Sequence, residues 1–351
     1  MRIAVGTFTD GFMGGAPGGG VHLFELDPAE PLAREVQVVG GLISPSYLAR
    51  HPRLPLLYAA ERAWSGEDKS EGALSTLAIA PDGTLELLDR RRAGGAFSAH
   101  VTVSPDGGLC ALANPLGPNL AVFPLSDEGI PGDSQCFAFT GQGARPRQSA
   151  PWPHSCWFDP AGKRMFACDL GLDIVSIYDV ASDGTSVAPA AFARAQVSSG
   201  AGARHMALRG DRRFAYVANE LDGTISVFAI DDERGTLTIV QTLPCAQQAS
   251  QPCEIVCDAA GRHLYVTLRG PEAVAVFAID AESGTLTPRQ MASCLGDTPR
   301  HIALSPDGSL ALVSNQLSGQ VMSFAVDAAT GTLTPTGLVI PVPSPACVVF
   351  L

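Results

Sequence analysis

One pattern recurs along this chain and constrains it more than any other feature: a polar anchor, a short apolar segment, a turn such as SPDG, and a second apolar segment. The copies read YLARHPRLPLLYAAE from Tyr47, HVTVSPDGGLCALANP from His100, HSCWFDPAGKRMFACDLG from His154, HMALRGDRRFAYVANE from His205, EIVCDAAGRHLYVTLRG from Glu254 and HIALSPDGSLALVSNQ from His301. They recur about every 50 residues, which is the length of four short antiparallel strands with their turns. A third apolar segment follows each pair, as in NLAVFPL, IVSIYDV, TISVFAI, AVAVFAI and QVMSFAV. Turns such as DERGTLT, AESGTLT and AATGTLT then lead to a fourth.

A seventh copy begins at Cys347 in PACVVFL, and the sequence stops there. Its partners come from the other end: MRIAVGTF suits a second strand, VHLFEL a third and REVQVVG a fourth. The expectation is an all-β, seven-bladed β-propeller of four-stranded antiparallel blades, with the last blade closed by N- and C-terminal strands. Closure of this kind leaves few free sheet edges. The repeat tiles residues 1–351, so a single domain is expected, and 37 Gly and 27 Pro supply the turns that so many short strands require,. Helix-length amphipathic patterns are absent. The glycine-rich GGAPGGG stretch at Gly14–Gly20 lies between two predicted strands without a following helix, and reads as a flexible loop,.

The formal charge of −12 disfavours phosphate backbones and anionic membrane surfaces, so neither nucleic acid nor membrane is an expected partner,. An anionic small ligand would need a local group of arginines. The N-terminus lacks a secretory pattern and no run of eighteen apolar residues occurs, so a cytoplasmic, soluble chain is expected. Nine cysteines, several inside apolar strand patterns (Cys110, Cys156, Cys168, Cys347), read as buried reduced thiols,. Cys253 and Cys257 have no matching second pair, so no metal site is expected. Nucleophile-elbow, zinc-protease, Walker and dinucleotide fingerprints are all missing, and no cofactor is expected. Asp82-Gly83 and Asp106-Gly107 are turn pairs.

In a propeller, equivalent positions of successive copies become ring neighbours. The anchors form one row: Tyr47, His100, His154, His205, Glu254 and His301. The ends of the second strands form another: Glu61, Asn114, Asp169, Glu220, Arg269 and Asn315. Arg147, Arg204 and Arg300 stand beside the anchors. A single anchor histidine is most simply satisfied by its neighbours. Histidine, arginines and glutamate together, in an acidic chain, instead suit an anionic ligand and proton exchange near neutral pH.

The segments PSYLARHP with YAAE, RQSAPWPHSCWFDP with CDLGLD, GAGARHMAL with YVANELDG, LYVTLRG, and PRHIALSPDG with VSNQ resemble the propeller-type lactonase family, which includes 6-phosphogluconolactonases and 3-carboxy-cis,cis-muconate lactonising enzymes. The resemblance spans nearly the whole chain. It implies catalytic roles for His154, Arg204, Glu220 and Arg269; the two rows and the arginines beside them add Glu61, His100, Asn114, Arg147, Asp169, His205, Arg300, His301 and Asn315 as substrate-binding candidates, with Trp152 at the mouth. Trp152 replaces the family's usual histidine, Ala203 a proline, Leu268 an asparagine and Pro115 an aromatic. A tryptophan at the mouth would offer a stacking wall to a sugar ring or an aromatic-derived lactone. The activity implied is base-assisted hydrolysis of a sugar-derived lactone such as 6-phosphogluconolactone, with His154 or Glu220 as the base. Lactonisation of a carboxymuconate and a non-catalytic binding module are the alternatives. A monomer is expected.

Overall fold

A computed structural model describes residues 1–27 and 30–351. It contains seven four-stranded antiparallel sheets, with two 3-10 turns (Phe12–Gly14 and Pro146–Gln148) and no α-helix among the described residues. The seven first strands are Pro45–Arg50, His100–Val103, Pro153–Phe158, Ala203–Leu208, Gln251–Cys257, Pro299–Leu304 and Pro345–Phe350. The last of these pairs with Arg2–Thr7, in the register Ile3 to Phe350 and Val5 to Val348. Val21–Glu25 and Arg34–Val39 complete that sheet, so the two ends of the sequence do build one blade.

The chain divides into two compact units. The larger comprises Met1–Gly41, Ala207–Ala229 and Ile239–Leu351; the other comprises Leu42–Met206 and Ile230–Thr238. Within each, the core lies between the faces of adjacent sheets. Val274 and Val276 pack on one side of their strand with Tyr265, Val313 and Phe324. Ala275, Phe277 and Ile279 pack on the other with Tyr216, Val227 and Leu264. Alternate side chains of one strand thus enter two different cores, which is why these strands read as continuous apolar runs. In the second unit Cys110 and Leu112 face one core while Ala111 and Ala113 face the next.

The turns follow from their sequences. In SPDG at Ser104, the Ser104 hydroxyl donates to Asp106 and accepts from Leu109 N, while Asp106 also accepts from Gly108 N and Gly107 supplies φ 73°,. The outermost strands are mostly exposed and are tied to the next sheet by glutamines. Gln241 exchanges two hydrogen bonds with the backbone of Leu286, and Gln290 does the same with Leu333. The glycine-rich loop does fall between two strands, and two of its glycines serve close approach. A Cβ on Gly15 would lie 2.2 Å from Ser344 Oγ, and one on Gly18 2.2 Å from Thr7 Oγ1,.

Candidate active site

One backbone hydrogen bond marks equivalent positions in six sheets: His51 N to Leu56 O, Ser104 N to Leu109 O, Asp159 N to Arg164 O, Arg209 N to Phe214 O, Asp258 N to His263 O, and Ser305 N to Leu310 O. Counting back four residues from each donor gives Tyr47, His100, Ser155, His205, Glu254 and His301. His154 is therefore not a member of the anchor row; Ser155 is. The third copy carries one more residue between its histidine and its turn, and the shared histidine hid the offset. His154 falls one position earlier, level with Ser46, Arg204, Cys253 and Arg300. In three sheets that position is a β-bulge: pairing jumps from Pro45 to Tyr47, from Pro153 to Ser155 and from Pro299 to His301. A bulge leaves one residue unpaired and re-aims its side chain, which sets His154 and Arg300 apart from the anchors that follow them,.

The second row needs the same correction. Counting forward from the acceptors, the strand ends are Glu61, Asn114, Asp169, Asn219, Leu268 and Asn315. Glu220 and Arg269 lie one residue beyond, level with Arg62 and Gln316. Members of the strand-end row mostly tie down neighbouring segments. Glu61 is fully buried; it accepts from Ser75, from Ile43 N and from two nitrogens of Arg90. Burial raises its pKa, although those donors and the Arg90 charge oppose the rise,. Asn114 donates to Ala93 O and Asn119 and accepts from Ser98. Asn315 donates to Cys294 O.

Asp169 does most to shape its surroundings. Its Oδ1 accepts from Trp152 N (2.8 Å), Gly171 N (2.8 Å) and Leu172 N (3.0 Å). Leu170 N returns a bond to Trp152 O, and a Cβ on Gly171 would lie 2.1 Å from Ala150 O. The DLG motif is thus the mould for the Ala150–Trp152 segment that leads into His154. Burial pushes the Asp169 carboxyl up to about 6, against the three backbone donors,.

Within the unit that holds Leu42–Met206, His154 packs edge-on to His205 with ring centres 5.1 Å apart. His205 continues to His100 (5.4 Å) and Tyr47 (5.8 Å), and Trp157 lies 4.4 Å from His100. Ser155 Oγ donates to Arg204 O, holding that strand beside its neighbour. His154 and Arg204 are both buried. Trp152 lies under Arg147, whose guanidinium carbon is 4.1 Å from the ring centre.

Within the other unit, Arg269 and Glu220 form an ion pair at 3.1 Å, with side chains 13% and 15% exposed. Burial works against the Arg269 charge, but Cys253 and Glu220 beside it outweigh burial and hold its pKa above the ordinary value,. His301 Nε2 lies 3.5 Å from both Glu254 Oε2 and Cys347 Sγ. Arg300 lies over Phe8 (5.0 Å) and Phe12 (5.4 Å) and reaches Gln316 Oε1 at 3.4 Å. Among the described residues no cluster of three His, Cys, Asp or Glu suited to a metal ion occurs.

A family model described as "Lactonase, 7-bladed beta-propeller" matches residues 2–350. The chain belongs to this lactonase family. A 6-phosphogluconolactonase from Bacillus subtilis is 29% identical over 99% of this chain and 97% of its own length. One from Formosa agariphila is 28% identical over 91% and 90%. A periplasmic gluconolactonase from Pseudomonas aeruginosa has a solved structure that superposes with a TM-score of 0.90, at 29% identity over 100% of this chain and 98% of that one. The seven-bladed propeller expected from the repeat is thereby borne out. Sequence reasoning missed Arg62, which shares its row with Glu220 and Arg269; the adjacent Glu61 had taken its place. It also passed over Trp157, hidden inside a strand pattern.

Proposed function

We propose that this lactonase-family chain hydrolyses a sugar-derived lactone, 6-phosphogluconolactone or a related aldonolactone, by direct attack of water. The observation that carries the reading is the segregation of charge. The row that contains the bulges supplies His154 and Arg204, and the row past the strand ends supplies Glu220 and Arg269, while the strand-end residues beside that second pair carry no charge: Asn219 donates to the Thr224 and Ser226 hydroxyls and Leu268 is buried. Water adds to the lactone carbonyl while His154 or Glu220 takes its proton. Arg204 and Arg269 stabilise the oxyanion that develops at the reacting carbonyl. Collapse breaks the ring C–O bond, the protonated base returns its proton to the leaving alkoxide, and the product is an open hydroxy acid that ionises at neutral pH. The names of the full-length relatives support this substrate class. Nine unpaired cysteines, eight of them at least partly buried, fit the proposal of a cytoplasmic monomer.

The test is acid release followed at constant pH with glucono-, phosphoglucono- and galactonolactones. Arg204→Ala, Glu220→Ala and His154→Ala should each lower kcat/KM by about 10²-fold or more with the β-sheet circular dichroism of the fold retained, Glu220→Ala at some cost in stability because it leaves the Arg269 charge without its partner,. Unchanged rates in both Arg204→Ala and Glu220→Ala would remove the mechanism, and turnover of a carboxymuconate alone would replace hydrolysis with lactonisation.

A further inference from the structure

Arg62 occupies the same position in its blade as Glu220 and Arg269 do in theirs, and it leads into a run of stacked groups. Its guanidinium carbon lies 3.8 Å from the centre of the Phe97 ring. Phe97 meets Trp152 at 5.9 Å with the rings tilted by 59°, and Arg147 covers Trp152 at 4.1 Å. All four belong to the unit that contains His154 and Arg204.

Phe97 is held in a backbone conformation that bulky residues avoid, φ 63°,. Such strain persists only where the surroundings over-determine it. Here they do: Phe97 N donates to Arg62 O, Ala96 and Leu116 exchange two backbone bonds, and Asn114 and Asn119 take the carbonyls of Ala93 and Gly94. At the other end, Asp169 and Gly171 fix Trp152 from beneath. Two strand-end residues that read as substrate ligands therefore act by setting this wall in place. Blade packing alone requires neither aromatic to be partly accessible nor an arginine on each. Arg147 is exposed and makes no ion pair among the described residues, in a chain of net charge −12. Stacking occupies the face of a guanidinium and leaves its in-plane N–H groups pointing away from the ring, the geometry that matches phosphate oxygens.

Resting on the lactonase reading above, we propose that Arg62, Phe97, Trp152 and Arg147 form a recognition wall that selects phosphorylated over neutral sugar lactones. The sugar ring lies on the aromatic middle, and its phosphate arm is taken by a guanidinium at the edge.

The test uses the product acids, so that binding is read without turnover. Calorimetry with 6-phosphogluconate and with gluconate should show the wild-type protein preferring the phosphorylated acid by at least tenfold. Arg62→Met, Arg147→Met and their double variant identify which end carries the phosphate; the double variant should bind both acids within about twofold of each other, with gluconate affinity unchanged. Trp152→Leu should weaken both acids together. Because Arg147 is exposed, its variant tests the idea even if Arg62→Met folds poorly, and Arg62→Lys, which keeps charge without the planar stack, should restore part of the preference. A preference that survives in the double variant, or a wild type without one, overturns the wall. A protein that keeps the preference but turns over neither lactone sustains the wall and overturns the hydrolysis.

Discussion

Replacing Asp169 by asparagine isolates the cost of a carboxylate that the fold buries. Asn keeps an oxygen for Trp152, Gly171 and Leu172 but cannot ionise. Asp169 is raised from 3.8 to about 6 in the folded protein. A shift of that size corresponds to about 3 kcal/mol, taking ~1.4 kcal/mol for each tenfold change in proton affinity. The sign follows from proton binding: between these values the folded chain holds the proton and the unfolded chain has released it. The contribution to stability is therefore fully present below pH 3.8 and is lost as pH rises through about 6,. Urea midpoints of wild type and Asp169→Asn, measured in steps from acid to neutral pH, cancel the other titrating groups in their difference. Relative to wild type, the variant should gain about 3 kcal/mol across that window, with the change complete near neutrality. A flat difference, or one that moves the other way, would refute the argument that burial outweighs the three backbone donors.

The buried pair of Glu61 and Arg90 makes a second case. Arg90→Met leaves a fully buried carboxylate on neutral donors alone and should cost about 3 kcal/mol, whereas adding Glu61→Gln should recover at least half of that,; denaturant titration of the cycle decides, and a neutral single variant would contradict it. The thiols give a third. Cys136 alone is exposed, while burial pushes Cys168 and Cys257 up to about 12, so an aromatic disulfide reagent at mildly alkaline pH should label one thiol quickly in the folded protein and nine after unfolding,. Rapid labelling of several thiols in the folded protein would count against this packing.

The blades were legible because each strand is bounded by its own turn chemistry, and the seventh copy could be closed because Ile3–Thr7 and Pro345–Phe350 both carry the apolar pattern of a buried strand. The site was legible only to within one residue. Successive copies align by eye on histidines, and the eye placed His154 with His205 although the backbone places Ser155 there. A bulge adds a residue without altering the apolar pattern on either side, so its register is invisible until the pairing is seen. The consequence is larger than one mislabelled row. At the ends of several second strands one residue holds the chain, as Glu61, Asp169 and Asn315 do, and Arg62, Glu220 and Arg269 stand one position beyond such ends, where the proposed chemistry draws on them. The same offset accounts for what the sequence suggested about Trp152. As a lone substitution it had no context, but with Phe97 strained against it and an arginine stacked on each, it becomes the centre of a surface whose backbone is held by Asn114 and Asp169.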